Sequence, residues 1–117
     1  MLDSALEGVD VSILVNNVGV AKYGALHDHS VWDSMRQVNV NINSQTYMSM
    51  FMVPKLLARE NRSAIVNISS DTYYNPGGMV PVYSATKAYN FTLSRAMEAA
   101  YREKIDVLTV TPSNTRS

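Results

Sequence analysis

Ala64-Ile65-Val66-Asn67-Ile68-Ser69-Ser70, followed across a Gly/Pro-rich stretch by Tyr83-Ser84-Ala85-Thr86-Lys87-Ala88, is the part of the chain that decides the fold. Residues 64–69 form a short, largely apolar, β-branched run, the pattern of a buried strand. Pro76, Gly77, Gly78 and Pro81 interrupt the next segment, which predicts a loop over residues 71–81 crossing the end of that strand. Pro81 suits the first position of a helix, and the spacing carries that helix to Lys104. Ala85, Ala88, Ala96, Ala99 and Ala100 leave room along it for close contacts. Ile105-Asp106-Val107-Leu108-Thr109-Val110 then reads as another strand, stopped by Pro112.

Towards the N-terminus the pattern repeats. Val11-Ser12-Ile13-Leu14-Val15 is a strand that enters a turn at Asn16-Asn17-Val18-Gly19, and residues 20–29 form a loop. Ser30 has the character of a helix N-cap, with Asp33 placed to reach back to the cap amide. Apolar residues at Val31, Met35, Val38, Ile42, Met48, Met52 and Leu56 predict a helix over residues 31–58, kinked or broken at Pro54. The order β-α-β-α-β requires parallel strands joined by right-handed crossovers, an α/β doubly wound sheet. A first strand this apolar suits a position with neighbours on both sides, so the expectation is a segment of a larger sheet.

At 117 residues the chain is the size of one domain or a piece of one. Ten basic and ten acidic residues cancel, and no basic stripe supports nucleic-acid binding. The lack of cysteine excludes disulfides, thiolate metal sites and thiol nucleophiles. Met1-Leu2-Asp3-Ser4-Ala5-Leu6-Glu7 has no basic leader, so no signal peptide is expected, and no run reaches the roughly 20 apolar residues of a membrane span.

On a helix, Tyr83 and Lys87 at i and i+4 share a face. An ammonium beside a phenol is expected to lower the phenol pKa and ready it for proton exchange. Ser70, delivered from the end of a strand, is placed to hold a substrate oxygen. Sites in open α/β sheets lie beyond the carboxyl ends of strands, where Asn16 to Gly19, Ser69-Ser70 and Pro112-Ser113 all fall. Each residue also has a plainer reading: a surface tyrosine on a lysine stem, a serine capping a turn, an exposed helix asparagine at Asn41, a turn-forming Asn16-Asn17 pair. Ser84-Ala85-Thr86-Lys87 fits the Ser-x-x-Lys pattern of serine acyl hydrolases, but without the accompanying Ser-Asp-Asn and Lys-Thr-Gly. His27 and His29 have no third ligand nearby, so no metal is expected.

Taken together, Asn16-Asn17-Val18-Gly19, Asn41, Ile68-Ser69-Ser70, Tyr83-Ser84-Ala85-Thr86-Lys87-Ala88 and Pro112 resemble the short-chain dehydrogenase/reductase family. The resemblance implies Tyr83 as catalytic acid/base. It makes Lys87 the group that lowers the Tyr83 pKa and binds the nicotinamide ribose, and Ser70 the group that polarises the substrate oxygen. Asn41, preferred to Asn39 by its interval to Pro54, would hold a water in the proton relay. Asn16, Val18, Gly19 and Pro112 would line the cofactor cleft with Tyr83 and Lys87. The Asn-Asn-Val-Gly and Tyr-Ser-Ala-Thr-Lys variants resemble the branch of 17β-hydroxysteroid dehydrogenases and very-long-chain 3-oxoacyl-CoA reductases. That branch implies NADP (NAD being the alternative), a steroid or fatty-acyl carbonyl or alcohol as substrate, and the endoplasmic reticulum, with the cytoplasm as alternative. It also implies a homodimer through the two long helices.

The family's Gly-rich dinucleotide fingerprint has no match, since the glycines stand at 8, 19, 24, 77 and 78, and Pro112 is followed by Ser113 instead of Gly. Residues 1–117 are therefore expected to be the catalytic segment of one Rossmann domain, incomplete at both ends and inactive in isolation. The competing expectation is a non-catalytic segment acting as a helix-mediated interaction module.

Overall fold

Three strands, β1 (Ile13–Asn16), β2 (Ser63–Ile68) and β3 (Ile105–Val110), form one parallel sheet in the spatial order β1-β2-β3. The structure, a computed structural model, describes residues 2–114. A short helix α1 (Leu2–Ala5) precedes β1. The first crossover contains α2 (Val31–Val38), a π-turn (Asn39–Asn43) and α3 (Ser44–Ala58), and the second is α4 (Pro81–Tyr101). Short 3₁₀ turns at Leu26–Asp28 and Asp71–Tyr73 stiffen the two loops.

Because paired residues of parallel strands point the same way, the register explains the two faces of the sheet. Leu14, Ile65 and Ile105 are buried, and with Met52, Val53, Leu56 and Met97 from the helices they make the core. Val15, Val66 and Leu108 align on the opposite face, where Val15 and Leu108 are exposed. Both crossovers advance in the same direction across the sheet, so right-handed connections put both long helices on one side. Among the described residues β1 is an edge strand, and the other face carries no helix.

Several expected boundaries move. Strand β1 starts two residues later than the apolar run, although Ser12 already accepts from the Ala64 amide at 2.9 Å. The last helix stops at Tyr101, because the Lys104 amide turns back to the Tyr101 carbonyl and leads the chain into β3. Ser30 is the N-cap and accepts from the Asp33 amide at 3.0 Å, but the Asp33 carboxylate takes the Ser30 hydroxyl, not the cap amide.

Pro54 does not break the helix, which continues to Ala58. Pro54 and Met50 face solvent, so the Met50 carbonyl that loses its amide partner can be hydrated. The irregularity lies at Asn39–Asn43 instead, where the Ser44 amide reaches five residues back to the Asn39 carbonyl.

Candidate active site

The carboxyl ends of the three strands bring together Ser70, the first turns of α4, the π-turn and the segment after β1. Ser69 and Ser70 divide their work: Ser69 donates to the Lys87 carbonyl at 2.7 Å and ties the strand end to α4, while Ser70 faces the adjoining cleft. That cleft, about 480 Å³, is lined by Tyr23, Ser70, Asp71, Thr72, Tyr83 and Pro112 among others. A larger depression of about 720 Å³, between the Leu6–Val11 segment and α3, holds none of the candidate residues.

Tyr83 is half-buried and lines the same cleft as Ser70, whose hydroxyl favours the phenolate form. Lys87 follows one turn later with its Nζ 5.5 Å from the Tyr83 ring centroid, donating at 2.9 Å to the Ile68 carbonyl. The expected effect of this lysine on the phenol is not what the geometry gives. Burial is the largest influence on Tyr83 and pushes its pKa up; Tyr23 and Asp71 act in the same direction, and only Ser70 opposes them. The ammonium sits over the ring and is aimed at a backbone carbonyl, so it lends the hydroxyl little. Burial in turn pushes the Lys87 pKa down, with no carboxylate to offset it.

A lysine held this way costs stability. Its folded pKa lies below its unfolded one, so the folded state gains stability as pH rises from the folded value towards the ordinary lysine range. Lys87→Met removes the titrating group, so its urea midpoint should fall relative to that of the parent as pH rises from neutral into the lysine range; a difference between the two that does not change with pH would contradict this.

Asn41 is buried in the π-turn, and its side chain is fully committed. Its Oδ1 accepts from the Val20 amide at 2.8 Å, and its Nδ2 donates to the Val20 carbonyl at 2.8 Å and to Thr86 Oγ1 at 2.9 Å. Thr86 in turn donates to the Tyr83 carbonyl at 2.7 Å. The asparagine thus straps the segment after β1 to the helix carrying Tyr83 and Lys87. Gly19 lies in that segment, where an added Cβ would come within 3.4 Å of Lys87 Nζ and 3.7 Å of Asn41 Oδ1.

Asn16 is placed differently from Val18 and Gly19. Its side chain turns under the helices, donating to Asn67 Oδ1 at 2.8 Å and to Ser49 Oγ at 3.3 Å, while Val18 and Gly19 are exposed. Pro112 lines the cleft, and its carbonyl accepts from the Asp71 amide at 3.1 Å.

Sequence reasoning passed over Thr86 and Asp71. The first had a signal, since a threonine three residues after Tyr83 in a helix can bond back to its carbonyl; the second stood in plain view beside Ser70. Ser84 is buried, and its hydroxyl meets no partner among the described residues, which leaves the acyl-hydrolase reading without an accessible nucleophile. His29 contacts the Gly24 carbonyl, and His27 is exposed beside Asp28.

Comparison with known proteins places this geometry. A profile of the short chain dehydrogenase family matches residues 3–117. The chain is 36% identical over 109 residues to 17-beta-hydroxysteroid dehydrogenase type 3 of Mus musculus, covering 89% of this chain and 35% of that protein. It is 37% identical over 105 residues to the inactive hydroxysteroid dehydrogenase-like protein 1 of Homo sapiens (86% of this chain, 31% of the relative). Very-long-chain 3-oxoacyl-CoA reductase of Anas platyrhynchos is 34% identical over 105 residues, again covering 86% of this chain and 33% of the relative. Among solved structures, 3-ketoacyl-(acyl-carrier-protein) reductase from Brucella melitensis, complexed with NADH, superposes with a TM-score of 0.89 at 25% identity, covering 96% of this chain and 49% of that one. The chain spans about a third of the length of these curated relatives.

Proposed function

This chain belongs to the short-chain dehydrogenase family, and from that premise we propose that residues 1–117 are the catalytic segment of a Rossmann domain that interconverts ketones and secondary alcohols. The observation that carries the reading is the meeting of Ser70, Tyr83 and Lys87 at the carboxyl end of the sheet. Tyr83 is the acid/base. A phenol pushed above its ordinary pKa stays protonated at neutral pH, the form needed to protonate the oxygen of a carbonyl being reduced. Ser70 orients that oxygen, and the half-buried position of Tyr83 limits competition from water.

The residues present fit the nicotinamide and ribose end of a dinucleotide. Among the described residues Lys87 donates to one acceptor, the Ile68 carbonyl, which leaves donors for ribose hydroxyls. The space a Cβ would fill at Gly19 lies beside that ammonium. Val18, Gly19 and the backbone of Asn16 offer the remaining contacts, with Pro112 at the far side of the cleft. The bound cofactor supplies a hydride. NADP is the proposed form, following the branch, with NAD as the alternative. Asn41 holds the Val20 segment in place, and the water of the proton relay is assigned to its π-turn.

The names of the relatives support a steroid or a long-chain 3-oxoacyl thioester as substrate class, and through that branch a location at the endoplasmic reticulum. Among the described residues no helix is long and apolar enough to cross a membrane. A homodimer through α3 and α4 is proposed from their exposed apolar side chains Tyr47, Met50 and Tyr89, where Thr46 and Tyr89 hydrogen-bond across the two helices at 2.9 Å. The similarity to a relative named inactive favours keeping a second reading, a non-catalytic segment that works through the same helix faces.

Ketone-dependent oxidation of NADPH by the protein in its full-length context tests the first reading. Absence of turnover with every ketone tried, and with secondary alcohols and NADP⁺ in reverse, would leave the second. For residues 1–117 alone, a fluorescence titration is expected to find no NADPH binding tighter than the millimolar range, because no glycine-rich cradle for the pyrophosphate is present. Tight binding would overturn the segment assignment.

A further inference from the structure

Ser70 can orient a reacting oxygen only if its own hydroxyl is held in one direction, and the turn that follows it sets that direction. Ser70 has extended backbone and immediately precedes the 3₁₀ turn Asp71–Tyr73. Its hydroxyl donates to Asp71 Oδ1 at 3.2 Å and accepts from the Thr72 amide at 3.3 Å, while its carbonyl accepts from the Tyr73 amide at 3.1 Å. A single 3₁₀ turn has few bonds of poor geometry, so it needs a packing partner to keep one conformation. Rotation of the turn would carry the Ser70 hydroxyl away from the cleft it shares with Tyr83.

Phe91 of α4 is that partner. The ring of Tyr73 stacks on it with centroids 3.9 Å apart and planes 10° from parallel, and Tyr74 meets Tyr73 edge-on at 5.0 Å. Tyr83, Lys87 and Phe91 follow one another at four-residue steps, so the helix that carries the proposed acid/base also carries the anchor, about 12 Å further along. On the other side of Ser70, Ser69 Oγ is tied to the Lys87 carbonyl at 2.7 Å. Ser70 is therefore held between two attachments to α4, one polar and one aromatic, and the helix spaces both from Tyr83. Rings stacked this closely part if the turn slides along α4, which makes the contact a gauge of register. We propose that Tyr73, through Phe91, is a positioning residue: the stack fixes the turn that aims the Ser70 hydroxyl. This role rests on the reductase reading and is the same for either substrate class proposed above.

Two variants part the rings from opposite sides, Phe91→Leu in the helix and Tyr73→Leu in the turn. In the full-length protein each is expected to lower kcat for ketone reduction about tenfold with little change in KM, since a misaimed hydroxyl is felt as the alkoxide develops. Tyr73→Phe, which keeps the ring, should run at the parent rate. The Ser70→Ala background separates this from simple loss of packing: no hydroxyl remains to be aimed there, and Phe91→Leu should change kcat by less than about twofold. Hydrogen exchange at the Thr72 amide, which donates to the Ser70 hydroxyl, reads the turn without turnover. Protection there should fall in Phe91→Leu while the β2 amides stay protected, and persist in Tyr73→Phe. An undiminished kcat in both leucine variants, the same loss in the Ser70→Ala background, or unchanged Thr72 exchange in Phe91→Leu overturns the proposal. Failure of the reductase reading would appear separately, as absence of ketone turnover in a parent protein whose Thr72 amide still depends on Phe91, which leaves the positioning role standing.

Discussion

Tyr83→Phe is expected to lower turnover in the full-length protein by about 10²–10⁴-fold, the range contributed by a positioned proton donor. The substitution removes one oxygen and keeps the ring, so the Lys87 ammonium still lies over an aromatic face and the first turn of α4 still packs as before. Nicotinamide binding should change little, because Lys87 and the Gly19 segment are untouched. The loss should fall on kcat, as befits an interaction made only as the alkoxide develops. In the parent protein the rate of carbonyl reduction should hold through neutral pH and fall only under alkaline conditions, when the phenol ionises; its raised pKa displaces that fall upward. Steady-state and single-turnover rates over a pH series read both effects, and undiminished turnover would remove Tyr83 from the chemistry.

Asn41→Ala should cost about 2–4 kcal/mol of folding stability. Its amide satisfies the Val20 amide, the Val20 carbonyl and Thr86, and alanine leaves three polar groups in or near the interior without their partner. An unsatisfied buried group costs about 1–3 kcal/mol, and the partial exposure of Val20 keeps the sum near the low end of three such terms. Asn41→Asp retains the acceptor for the Val20 amide but sets a buried carboxylate oxygen against the Val20 carbonyl, and should cost at least as much as alanine. Urea denaturation gives the cost. Hydrogen exchange at the Val20 amide locates it, since that amide should lose protection in Asn41→Ala even under conditions where the core strands stay protected. Unchanged exchange at Val20 would mean that the strap is not what orders the segment after β1.

The consequences reach the site because the strap crosses it. Val20 adjoins Gly19, Gly19 faces Lys87, and Thr86 connects Asn41 to the carbonyl of Tyr83. A change at Asn41 therefore loosens the wall of the proposed nicotinamide pocket and the helix turn bearing Tyr83, the proposed acid/base, together. Tyr73 and Phe91 act on a different point, the turn that follows Ser70, and their substitution should leave the strap intact.

Local pattern was enough for much of this. The apolar runs at 11–15, 64–69 and 105–110 announced three strands, and the long periodic segments between them announced crossovers, because burial of a strand or of one helix face leaves a direct mark on residue order. The i, i+4 spacing put Tyr83 and Lys87 on one face, and the strand ends pointed to Ser70. Pro54 misled, since its effect on a helix depends on whether the carbonyl it deprives of a partner can reach water. The π-turn at Asn39–Asn43 left no mark of its own, because any residue can occupy it and the contact with Val20 comes from twenty-one positions away.

By itself, then, the sequence determined the order of elements, the parallel sheet, and which residues stand at its carboxyl end, all consequences of hydrophobic periodicity and helix geometry. Only the tertiary structure decided where those side chains spend their hydrogen bonds. Asn16 turns under the helices to Asn67 and Ser49, Asn41 closes on Val20 and Thr86, Lys87 takes the Ile68 carbonyl, and the proton of Ser70 is drawn to Asp71. Direction and burial set these outcomes. A polar group chooses among the partners within about 3 Å of it in the folded chain, and spacing along the sequence does not say which those are.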